Sequence, residues 1–178
     1  MTHLTKDQMQ RLLELALVRD ERLYCMILLG WRHGLRASEI CSLRVSDFDM
    51  TGGFLTVARL KGSFRTTQPL FPDEVKVLSH LLVGKGPSDF LFPGRKAARP
   101  FSYSGFYDRF RELCHDLEFP EHLSHPHVLK HSTGMTVIKQ GIEYCRQYLG
   151  HRSIASTGAY LRVSDAEASK AAFAAFGD

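Results

Sequence analysis

Four histidines, His122, His125, His127 and His131, fall within ten residues of one another and raise the question of a metal site. Helical metal ligands are expected at i and i+4, a spacing that His127 and His131 meet. The intervening Val128-Leu129-Lys130 holds no acid to serve as a general base, and Lys130 would set a cation against the metal. The other reading of the cluster is a polar helix terminus, and the choice turns on the rest of the chain. Elsewhere the chemistry-bearing residues are cations, an imidazole and a phenol. Gly34-Leu35-Arg36-Ala37-Ser38-Glu39 sets an arginine at the start of a short helix, with an acid three residues on to hold its guanidinium. Lys61, beside Gly62 at a hairpin turn, is a long cation able to reach outward. His127 and Lys130 share one face, a helical turn apart. Leu149-Gly150-His151 stops one helix, and Tyr160 follows nine residues after His151 at the end of the next.

Positioning these residues takes a mostly helical frame. Thr5-Lys6-Asp7-Gln8 reads as a capping box that opens a helix from about residue 6 to 18, and a second runs from about 21 to 32 with Gly34 as its stop. A short helix, 37 to 43, carries Ser38, Glu39 and Ser42 on its polar side. The alternating run 54 to 58, a turn at 61 to 63 and the extended run 66 to 70 predict a β-hairpin or small meander. Further helices are expected at about 73 to 83, 104 to 117, 127 to 140, 142 to 149, 154 to 161 and 165 to 176. Residues 84 to 100, rich in Gly, Pro, Lys and Arg, read as a loop anchored by Phe90-Leu91-Phe92. The fold class is mainly α (α+β), helices around a small antiparallel sheet, and the whole chain, 1 to 178, is read as a single domain.

Composition narrows the function classes. The chain has 178 residues, 23 Lys+Arg against 19 Asp+Glu, 44% hydrophobic and 24% charged residues, an ordinary globular mixture that excludes disordered, collagen-like and disulfide-scaffold classes. Apolar runs fall well short of the roughly 20 residues a bilayer requires, and the first 20 residues lack a signal-peptide pattern, so a cytoplasmic location is expected. Cys25, Cys41, Cys114 and Cys145 form no CxxC pair and read as reduced core residues. A net charge of +4 tilts toward an acidic partner, of which nucleic acid is the commonest.

The ordered set Arg36, Lys61, His127, Lys130, His151 and Tyr160 resembles the catalytic domain of the tyrosine recombinases, the integrase family that cuts and rejoins DNA. GLRxSE, the hairpin lysine, HxxR, LGH and the tyrosine appear in family order and at near-family spacing. The layout is most similar to the small recombinases that invert fimbrial promoter segments, which lack the family's N-terminal DNA-clamping domain. The resemblance implies a 3′-phosphotyrosyl intermediate, no metal and no cofactor. It assigns Arg36 to phosphate stabilisation, His127 as candidate base, Lys61 as candidate acid, His151 to a non-bridging oxygen or the nucleophile's geometry, and Tyr160 as nucleophile.

One departure stands out: the family's second arginine is Lys130 here. Lysine keeps the charge but cannot make the planar bidentate pair with phosphate. That leaves open a slow enzyme, an engineered substitution or a catalytically impaired DNA-binding regulator on the same fold. Arg65, Lys139 and Arg152 lie near the proposed site segments and are expected to contact backbone phosphates. The implied partners are double-stranded DNA, further copies of the chain as a dimer or tetramer on DNA, and an accessory DNA-bending protein. The C-terminal helix, 165 to 178, is expected either to dock into a neighbouring subunit or to pack on its own core. With a charge of +4 and no clamp domain, DNA binding is expected to be weak and salt-sensitive.

Overall fold

The computed structural model describes residues 3–59 and 63–158. Lys61, Tyr160 and the segment 165–178 therefore lie outside the described residues.

Helix α1 (Lys6–Arg19) starts where expected: Thr5 Oγ1 accepts from the Gln8 N–H at 3.2 Å and the Gln8 side chain accepts from the Thr5 N–H at 2.9 Å. Asp20 then caps helix α2 (Glu21–His33), accepting from the Arg22 N–H. α2 is the central rod. Leu23, Cys25, Met26, Ile27, Leu28, Leu29, Gly30 and His33 are all buried, a width of apolar surface that needs neighbours on several sides. Those neighbours are α1, α4 (Pro72–Leu81) and α6 (His127–Val137), while α3 (Ala37–Ser42) packs on α5 (Tyr103–Asp116). Phe92, Phe106 and Phe110 are fully buried; each contributes about 2 to 3 kcal/mol of transfer free energy.

The sheet is a three-stranded antiparallel meander in the order β1 (Phe48–Asp49), β2 (Phe54–Val57), β3 (Thr66–Pro69). Leu55 pairs with Gln68 and Val57 with Thr66. β2 turns Leu55 and Val57 inward, as its alternation predicts. β3 instead buries the polar residues Thr66 and Gln68, because they face a polar network rather than the apolar core. The loop after α4 is anchored as expected: Leu91 and Phe92 are buried, and the Leu91 N–H donates to Leu43 O at 2.8 Å.

The expected helix 127–140 is α6 followed by a 3-10 turn, Ile138–Gln140, and then α7 (Ile142–Leu149) and α8 (Ala155–Gly158). All four cysteines are free and buried. Among the described residues no helix is long and apolar enough to cross a membrane.

Candidate active site

Arg36 sits at the N-cap of α3, immediately after a turn that only glycine accommodates well. Gly34 has φ 59°, and a Cβ there would collide with the Leu149 side chain. From this position the Arg36 N–H donates to Glu39 Oε2 at 2.8 Å and Arg36 Nη1 donates to Glu39 Oε1 at 2.9 Å. The acid does hold the guanidinium, but not from the polar side of the helix: Glu39 is 2% exposed. That correction has a clear cause. A second cation, Arg59 Nη1, lies 3.5 Å from Glu39 Oε2, so the carboxylate is buried between two guanidinium groups.

Arg59 went unnoticed in the sequence, although the inward positions Leu55 and Val57 of β2 predict that residue 59 also points inward. Its Nε donates to Thr66 Oγ1 at 3.0 Å, Nη1 to Gly34 O at 2.9 Å, and Nη2 to His33 O at 2.7 Å and Tyr148 O at 3.2 Å. Gln68 Nε2 reaches the same Tyr148 carbonyl at 2.7 Å. This fixes the amide, so Gln68 Oε1 faces His33 Nδ1 at 2.8 Å and that nitrogen donates. On its other side, His33 Nε2 meets Glu74 Oε2 at 3.2 Å. His33 and Glu74 are both 0% exposed.

Lys130, on α6, is 3% exposed, and its Nζ has no hydrogen-bond partner among the described residues. Burial, then the charges of Arg36 and Arg59, push its ammonium down to about 7, against the pull of Glu39. His127 opens the same helix with a solvent-facing ring, 4.6 Å from the His131 ring centroid and edge-on to it. Partial burial and the neighbouring His131, His125, Lys130 and Arg36 hold His127 down to about 4.

His151 follows Gly150, whose φ of 68° ends α7. A Cβ on Gly150 would lie 2.8 Å from Phe64 O and 3.0 Å from Arg59 Cγ, so the LGH glycine is where the hairpin base rests on α7. The Phe64 N–H donates to Gly150 O at 2.9 Å. His151 is 7% exposed and its Nδ1 lies 3.1 Å from Thr157 Oγ1, on α8. Burial, then Lys130, Arg36 and Arg59, hold it down to about 4. The charge of Arg36 bears on Lys130, His127 and His151 alike and lowers the proton affinity of each.

The residues expected to touch DNA, Arg65, Lys139 and Arg152, are all exposed. Arg152 lies over the Phe64 ring, 5.8 Å from its centroid. Arg65 lines a groove of about 620 Å³ between β3 and α7, and Lys139 lines another beside the N-terminal residues. No group of three or more His, Cys, Asp or Glu able to hold a metal occurs among the described residues.

Comparison with known proteins gives this arrangement its relatives. The sequence model of the phage integrase family matches residues 2–167. The type 1 fimbriae regulatory protein FimB of Escherichia coli (strain K12) is 36% identical over 163 residues, covering 86% of this chain and 80% of its own. FimE of the same strain is 32% identical over 145 residues, covering 77% and 72%. Among solved structures, XerA recombinase superposes with a TM-score of 0.78 at 27% identity, spanning 99% of this chain but only 65% of that one. The chain belongs to the phage integrase family of tyrosine-type site-specific recombinases, with the catalytic-domain fold and a likeness to the fimbrial-switch members.

Proposed function

We propose that this chain cleaves and rejoins double-stranded DNA at specific sites through a 3′-phosphotyrosyl intermediate. What supports the reading is the tether of Arg36 to the buried Glu39, with the charge of Arg36 bearing on His127, Lys130 and His151 alike. Thr157, hydrogen-bonded to His151, stands three residues before Tyr160.

In the proposed reaction the Tyr160 oxygen attacks phosphorus, forming the O–P bond while the bond to the 5′ oxygen breaks. The phenol, with an ordinary pKa near 10, gives its proton to His127. That imidazole, held down to about 4, is neutral at physiological pH and free to accept it. Lys61 returns a proton to the departing 5′ oxygen. Arg36 donates to the non-bridging oxygens as charge accumulates there, and its bonds to Glu39 hold the guanidinium ready without reorganisation. Lys130 adds a point charge. With Nδ1 accepting from Thr157, His151 offers Nε2–H to the same oxygens. Attack by a second strand's 5′ hydroxyl reverses the steps, so no cofactor is consumed.

Residues 1–178 act in this reading as one cytoplasmic catalytic domain, assembling as a dimer or tetramer on DNA with an accessory bending protein. The segment 165–178 docks on a neighbouring subunit, and Arg65, Lys139 and Arg152 contact backbone phosphates. A second reading, a DNA-binding regulator without strand cleavage, draws on Lys130, whose Nζ has no hydrogen-bond partner among the described residues. A nicked suicide substrate separates the two. Wild type is expected to form a covalent protein–DNA adduct, Tyr160→Phe none, and Lys130→Arg more. DNA binding without adduct from either wild type or Lys130→Arg would establish the regulator.

A further inference from the structure

We propose that Arg59 is a positioning residue of the active site: one buried guanidinium that fixes Arg36 through Glu39 and ties together the segments leading to Lys61 and His151. The role rests on the recombinase reading above.

Arg59 stands where two helices end. The last carbonyls of a helix lack intrahelical partners and carry the negative end of its dipole. His33 O and Gly34 O close α2, Tyr148 O belongs to the last turn of α7, and all accept from this one side chain. The first two lie three and two residues before Arg36, and the third lies three residues before His151. Arg59 itself lies two residues before Lys61, and its Nε bond to Thr66 closes the base of the hairpin that carries that lysine. The guanidinium is therefore the point at which the stems of three separate motifs meet. Glu39 extends the connection: Oε1 accepts from the Arg36 guanidinium, and Oε2 accepts from the Arg36 N–H while pairing with Arg59.

A purely structural ion pair would not need this arrangement. Buried charge pairs are often no better for stability than well-packed apolar groups of similar volume. An apolar side chain fills the space but cannot donate to three carbonyls and a hydroxyl on different elements, which is what guanidinium geometry supplies. Burial works against the charge on Arg59, and Glu39 is the largest influence opposing it. The charge of Arg59 in turn reaches Lys130 and lowers its affinity for a proton.

The test is single-turnover cleavage of the nicked substrate by saturating protein, with DNA affinity measured separately and the rate followed across pH. Arg59→Met is expected to bind DNA as wild type does and to form adduct roughly 100-fold more slowly, the loss typical of a misplaced catalytic group. Its alkaline fall-off in rate should move to higher pH, because Lys130 loses a neighbouring positive charge. Combined with Glu39→Gln, it should add little to the single-variant loss, since both act on Arg36. Arg59→Lys keeps the charge without the fork and should recover only part of the rate; it also serves if the methionine variant fails to fold. Wild-type cleavage rates in Arg59→Lys, or an unmoved pH profile and fully additive losses in Arg59→Met, would overturn the role. A wild type that binds DNA but forms no adduct would overturn the recombinase reading, and this role with it.

Discussion

Arg36 and Lys130 are the two cations that the proposed reaction assigns to the phosphate, and they are held in opposite ways. Arg36 is tethered at its backbone and its guanidinium to Glu39, and its side chain is 25% exposed. Lys130 is 3% exposed, unbonded at Nζ among the described residues, and pushed down to about 7 by burial and by the two arginines beside it. The first is a preorganised donor whose charge is permanent. The second stays charged only while a proton remains on it. The contrast shows that replacing an arginine by lysine at this position alters more than hydrogen-bond count: it converts a fixed charge into a titrating one.

The largest effect should come from the tethered cation. Arg36→Gln is expected to slow adduct formation by ~10³-fold, the upper range for loss of one oxyanion donor. Lys130→Gln, measured at pH 8 in the same single-turnover assay, should cost only ~10-fold, because much of the wild-type lysine is already neutral there and never binds bidentately. Equal losses would break the contrast and show that both cations contribute alike.

Next comes the tether itself. Glu39→Gln keeps the shape but removes the charge between Arg36 and Arg59, and we expect cleavage to slow by ~10²-fold. The same change should destabilise the fold by about 3 kcal/mol in denaturant titration, because Arg59 is left as a buried cation without its counter-charge. Loss of stability with an unchanged cleavage rate would mean that Glu39 supports the fold without positioning Arg36.

These side chains also mark where the sequence was legible and where it was not. Capping and periodicity located α1 and α2 closely, since Thr5, Gln8 and Gly34 act locally and their effects are written in adjacent residues. Spacing likewise singled out Arg36, His127, Lys130 and His151. The network beneath them was hidden because it is built across distance. Arg59 looks like an ordinary strand cation until the carbonyls of residues 33, 34 and 148 surround it. Glu39 reads as polar surface for the same reason, and His33 with Glu74 gives no pattern at all, their partnership spanning two helices. Burial of Lys130 was equally unreadable, since a lysine at that point of a helix gives no sign of what packs over it.

A smaller effect tests Lys130 by repair. Lys130→Arg should raise the cleavage rate about 10-fold at pH 8, and the gain should shrink as pH falls below 7, where the lysine of the wild type is protonated. A gain that is constant across pH would assign the difference to bidentate geometry alone.

The smallest effect is on stability, and its sign runs against activity. In the unfolded chain a lysine titrates near 10.4, whereas folded Lys130 titrates at about 7. Between those values the unfolded state binds more protons, so stability should climb as pH rises from about 7 toward 10, over the window in which cleavage declines. His127 and His151 obey the same logic lower down. Each is held at about 4 against an unfolded value near 6.5, so stability is lost as pH falls from 6.5 toward 4. Lys130→Met should remove the upper step and leave the lower one. We expect the rise in Tm between pH 7 and 9.5 to be on the order of 5 °C greater in wild type than in the variant, by thermal unfolding of the DNA-free protein. Equal rises would mean that the folded protein accommodates the ammonium at no cost, and Lys130 would then differ from Arg36 only in shape.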